Sequence, residues 1–116
     1  MNPVAERYRT LLQSLDSWTA TAHRRHPGVI PCRRGCTACC HGPFDISAAD
    51  VVLLRETVAA LPSERRTALL ARAEAAAARQ RELVPDWAAP FDVRDLGEAR
   101  FDEVCEALAT EACPCL

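Results

Sequence analysis

The chain has 116 residues, 14 of them basic and 16 acidic, for a formal net charge of -2. That length holds one modest domain with a small core, and near-neutrality removes any electrostatic argument for nucleic acid or an anionic membrane surface as a partner. No stretch is long and apolar enough to span a bilayer, and the first ten residues lack the apolar run of a secretory signal, so the expected location is the cytoplasm, where thiols stay reduced.

The first predicted element is a helix from Pro3 to about His23. Tyr8, Leu11, Leu15, Trp18 and Ala22 recur in it at three- and four-residue steps and make one apolar face. Trp18 is read as a core anchor of that face. His23 and His26 fall near the helix end, where positive charge suits the dipole, and Pro27-Gly28 breaks the helix. The segment from Val29 to Phe44 is punctuated by Pro31, Gly35, Gly42 and Pro43 and reads as a loop with room for a short helical turn.

Ser47 with Asp50 three residues on resembles a capping box with Asp in place of Glu, and Ile46 and Val51 can form its hydrophobic staple. The helix it opens runs to about Leu61, with Val51, Leu54, Val58 and Leu61 on one face, and Pro62 ends it. A third helix starts at Ser63, read as its N-cap, and continues to about Leu83. Its apolar stripe of Leu69, Leu70, Ala73, Ala76 and Ala77 is narrow. It suits either close helix packing or a mostly solvated helix, with Arg65, Arg66, Arg72, Arg79 and Arg81 balanced by Glu64, Glu74 and Glu82. Pro85 to Gly97 reads as a loop carrying Trp87, Pro90 and Phe91. A last helix from about Glu98 to Ala112 places Phe101, Val104, Cys105, Leu108 and Ala112 on one side. No stretch alternates as a strand would. The expected fold is mostly α: a single-domain helical bundle over residues 1–116 with an irregular cysteine-rich metal-binding loop.

Seven cysteines stand out in a chain of this size, and the number is odd. A closed disulfide set would leave one over, so reduced thiols crowded together point to metal before disulfides. Cys32, Cys36, Cys39 and Cys40 fall within nine residues. Thiolate is a soft donor that suits zinc, iron and copper(I). The pair Cys36 and Cys39, two residues apart, can grip one ion from a single turn, and a helical turn would bring Cys32 to the same side. Adjacent side chains point apart, so Cys39 and Cys40 do not readily serve one ion together. One of them then faces a second metal or a site completed from elsewhere, with Cys105, Cys113, Cys115 and His41 as the candidates. Cys105 lies on an apolar helix face, where a buried free thiol is common. Cys113, before a proline at a helix end, is the better ligand candidate and Cys115 is intermediate. Arg33 and Arg34 either favour thiolate by their charge or are solvated loop residues.

The run CRRGCTACC, followed by a polar turn and a helix with the early acid Asp50, resembles the YkgJ-type cysteine-cluster family, whose members are described as zinc- or iron-chelating proteins. The late Cys113-Pro114 pair resembles that family's second element. The resemblance implies Cys32, Cys36, Cys39, Cys40 and Cys113 as the shared positions, with Cys115 outside them. Family members continue into a further cysteine, an aromatic residue, an Arg-Pro pair and a final cysteine. This chain stops first, as either a C-terminally truncated or a reduced member would, and the resemblance then implies a site without some of the usual ligands.

The expected function is therefore a protein that holds Zn2+ or Fe through the cysteine cluster, completed by Cys113 and Cys115. Two alternatives stand beside it. Cys32, Cys36 and Cys39 spell the CxxxCxxC spacing of radical-SAM enzymes, which carry an iron–sulfur cluster, but those enzymes need strand–helix repeats in a chain about twice as long. The metal could instead be structural and fix a loop that binds a protein partner, with the Arg-rich third helix as a docking face. The terminal Cys113-Pro114-Cys115-Leu116 also fits a prenylation pattern, read here as coincidence. No Ser–His–Asp set, phosphate-binding glycine loop or paired catalytic carboxylates are present, so no reaction is specified.

Overall fold

The computed structural model describes residues 2–116. The chain is mostly α, as expected, with helices α1 (Pro3–Arg25), α2 (Ala48–Ala60), α3 (Ser63–Leu83), α4 (Val93–Leu96) and α5 (Glu98–Ala107). Among the described residues there is one isolated backbone bridge and no strand. No described helix is long and apolar enough to cross a membrane. The chain divides into two compact units: residues up to Cys36 together with Ser47–Thr57, and Thr37–Ile46 together with Val58–Leu116.

In the first unit, α1 starts where Asn2 caps it: the Asn2 side chain accepts the Val4 N–H at 2.9 Å. Pro3 fills the first helical position, where its missing N–H costs nothing. Glu6 in the first turn and His23, Arg24 and Arg25 in the last complement the helix dipole. The predicted apolar face is present in register but uncovered. Leu11 is 52% exposed, Leu15 50% and Trp18 70%, so Trp18 is a surface residue and not the core anchor its periodicity suggested. Only Ala5 is buried on this helix.

The predicted capping box at the start of α2 forms. Ser47 Oγ accepts the Asp50 N–H at 3.2 Å while Asp50 Oδ2 accepts the Ser47 N–H at 2.8 Å. The same carboxylate receives the Tyr8 hydroxyl from α1, and Arg9 pairs with Glu56 one and a half turns further along α2. This polar seam joins the two helices of the unit. Asp50 is held below the ordinary carboxylate range, first by Tyr8 and then by Ser47. Tyr8 is raised above the ordinary phenol value by the same hydrogen bond.

The second unit contains the apolar core: Val84, Trp87, Leu96 and Val104, with Phe91, Phe101 and Leu108 packed against them. Full burial of such side chains stabilises by about 1.5–3 kcal/mol each. Trp87 meets Phe91 edge to face at 5.3 Å and donates its indole N–H to Asp92 O at 2.9 Å, so its polar atom is satisfied inside the core. The segment predicted as a plain loop contains α4, started by Asp92, whose side chain accepts the Arg94 N–H. The Arg94 guanidinium beside Asp92 holds that carboxyl down at about 2.

Two predicted boundaries move. Ser63 is the first residue of α3 and not its N-cap, which Pro62 occupies without a side-chain bond; Arg66 reaches back across the turn to donate to Ala59 O at 3.1 Å. The last helix ends at Ala107 and not at Ala112. Leu108 leaves the helix, and residues 111–113 give up helical bonds for bonds to another part of the chain.

Candidate functional site

The cysteine loop consists of two consecutive tight turns in place of the helical turn considered from sequence. Cys36 N–H donates to Arg33 O at 3.0 Å, and Cys40 N–H donates to Thr37 O at 3.0 Å. Gly35, at φ +89°, takes the third position of the first turn, a left-handed position that suits glycine. Cys32, Cys36 and Cys39 are exposed on these turns, and so are Arg33 and Arg34. The boundary between the compact units falls between Cys36 and Thr37, so Cys32 and Cys36 belong to the first unit. Cys39, Cys40, Cys113 and Cys115, four of the six expected ligands, belong to the second.

Within that second unit the loop is stitched to the chain end. His41 and Ala112 form an antiparallel bridge, bracketed by Gly42 N–H to Glu111 O at 2.7 Å and Cys113 N–H to Cys40 O at 2.8 Å. Bonds on both sides of the pair make His41–Ala112 the non-hydrogen-bonded pair of the ladder. One step outward, Cys40 lies opposite Cys113. The structure thus joins the Cys40 and Cys113 backbones across the two segments. Gly42, at φ +79°, passes within 3.5 Å of the Ala109 backbone, measured from an ideal Cβ, and lets the chain turn out of the bridge.

The C-terminal residues form a turn of their own. Leu116 N–H donates to Cys113 O at 3.0 Å, and Cys115 N–H points to Cys113 Sγ at 3.4 Å. Partial burial raises the Cys115 thiol, with the neighbouring Cys113 next in importance and Arg72 pulling the other way. Cys105 is of a different kind. Its thiol lies 3.6 Å from Pro43 O as a donor, and burial, then Asp102 and Asp45, push it up. Cys105 is half-buried on α5, the helix on which it was expected.

Two arginines of α3 hold this arrangement. Arg72 Nε donates to Pro114 O at 3.0 Å, and Arg79 Nε lies 2.9 Å from Glu111 Oε1. The Arg79 contact is an ion pair and not a hydrogen bond, because the buried Nε has no correctly directed acceptor. Seven residues apart, the two side chains share a helix face. Sequence reasoning counted Arg72 and Arg79 among the solvated or docking charges of the helix. Their spacing was visible, but the acceptors lie more than thirty residues away and carry no local signal.

No cysteine is joined in a disulfide. Among the described residues no group of three or more His, Cys, Asp or Glu side chains is placed to hold a metal ion. The donor chemistry of the six thiols suits zinc or iron, and the bridge joins the backbones of two of these cysteines, but a ligand set is not assembled among the described residues. Compared with models of protein families, with curated proteins and with solved structures, the chain matches none.

Proposed function

We propose that this chain is a thiolate metal-binding protein of the YkgJ type, holding zinc or iron through Cys32, Cys36, Cys39 and Cys40 with Cys113 and Cys115 completing the set. The observation that carries this reading is the His41–Ala112 bridge, because it sets Cys113 opposite Cys40. The backbone bond from Cys113 to Cys40 O supports the expectation that a C-terminal thiol completes the cluster. When bound, zinc would lend folding energy to a small domain, and iron would add redox chemistry.

Elemental analysis of the full chain, purified anaerobically without added metal, tests the proposal. Stoichiometric zinc or iron is expected, with a rise in melting temperature that a strong chelator reverses. Cys40→Ser and Cys113→Ser should each lower metal affinity by at least about tenfold. Absence of stoichiometric metal, together with no stability gained from zinc or ferrous iron, would overturn the reading. A brown protein containing both iron and sulfide would move it to an iron–sulfur cluster.

A further inference from the structure

The bridge that joins the loop to the chain end has a second chemical meaning. Beside the His41–Ala112 bridge, Cys113 N–H donates to Cys40 O at 2.8 Å, which places the two cysteines opposite each other in antiparallel register. Opposed residues of antiparallel segments stand about 4.5–5.5 Å apart between Cα atoms, within the roughly 4.4–6.8 Å that a disulfide spans. Both residues are half-buried, so a small reagent can reach them while bulk solvent is partly excluded.

The other thiol pairs of this unit are less well placed. Cys39 and Cys40 are neighbours whose side chains diverge. Cys105 is engaged with Pro43 O. Cys113 and Cys115 are separated by a proline inside a tight turn, where the Cys115 backbone N–H, and not its thiol, addresses Cys113 Sγ.

We propose that Cys40 and Cys113 form a reversible redox pair, closed to a disulfide by a low-molecular-weight disulfide and reopened by the corresponding thiol. One cysteine thiolate attacks a sulfur of the small disulfide, breaks its S–S bond and expels one thiolate. The second cysteine thiolate then attacks the protein sulfur of the mixed disulfide and expels the other. The protein gives up two protons and two electrons, and the oxidant leaves as two thiols. Closure locks the register of the bridge and removes both thiols from any other chemistry. This inference goes beyond the metal reading and requires no metal.

The test uses the metal-free full chain, reduced and then incubated with oxidised glutathione. Thiol titration is expected to show the loss of two of the seven thiols. Tryptic mapping with fragmentation should place the new bond between Cys40 and Cys113, and reduced glutathione should restore both thiols. Cys105→Ser, which removes one of the two other sulfurs in the Cys113 tryptic peptide, should leave the bond in place. Retention of all seven thiols, or a bond that forms instead at Cys113–Cys115 or Cys39–Cys113, overturns the proposal.

Discussion

The two compact units use their apolar residues in opposite ways. In the first, the regular face of α1 carries Leu11, Leu15 and Trp18, each half or more exposed, and the helix is tied to α2 by Tyr8–Asp50 and Arg9–Glu56. In the second, the end of α3, the loop after it and the short helices α4 and α5 bury Val84, Trp87, Leu96 and Val104 around Phe91, Phe101 and Leu108. Apolar spacing records what a helix is able to bury; it does not say what covers it. Exposed ion pairs contribute only about 0–1 kcal/mol, whereas the buried cluster acts through area removed from water.

The largest expected effect tests the core side of this contrast. Trp87→Ala removes a buried ring, its edge-to-face partner contact and a satisfied indole N–H. It should lower stability by about 3–5 kcal/mol, a large fraction of a small domain's total. Urea unfolding followed by far-ultraviolet circular dichroism measures this, and a loss below about 1 kcal/mol would show that the core does not hold the unit.

A smaller effect is expected at the arginine clamp. Arg72→Ala deletes the bond to Pro114 O and should leave the helices intact. Its loss, worth about 0.5–1.5 kcal/mol, should speed amide exchange at Gly42 and Cys113 about two- to tenfold. Unchanged exchange at both amides would show that the bridge stands without α3.

The polar seam of the first unit gives a pH signature. Asp50 is depressed, so its contribution is present above the ordinary carboxylate value of about 4 and is lost as pH falls through its lower folded value. Tyr8 is raised, so its contribution is fully present below about 10 and is lost as pH rises through its higher folded value. The contact therefore holds across neutral pH and loosens at both extremes. Tyr8 is the single tyrosine of the chain, so ultraviolet titration reads it alone. Asp50→Asn should move that titration down towards the ordinary phenol value, and an unmoved curve would show that the hydrogen bond is not formed in solution.

Trp18→Ala should do least. At 70% exposure the ring has little contact to lose, and the change should stay within about 0.5 kcal/mol. Set against Trp87→Ala in the same urea assay, it completes the comparison of the two tryptophans. A loss comparable to that of Trp87 would mean that the α1 face is covered in solution.

Much of the local structure was legible in the sequence. The Ser47–Asp50 capping box, the stop at Pro62, the long α3 and the mostly α class follow from side chains that act on backbone within four residues of themselves. Cys105 on an apolar helix face was readable for the same reason. What escaped was non-local. The last helix, predicted to Ala112, ends at Ala107 because residues 111–113 bond to residues 40–42. The fates of Trp18, Arg72 and Arg79 depend on groups far away in the chain.

The candidate site divides along the same line. The number and spacing of the thiols, and hence the soft-donor chemistry they offer, are properties of the sequence alone, because they depend only on residue type and order. The joining of the Cys40 and Cys113 backbones and the clamp from α3 were decided by tertiary structure. The first rests on backbone hydrogen bonds between segments about seventy residues apart, the second on arginine contacts more than thirty residues apart, and loops of such length leave no trace in local pattern.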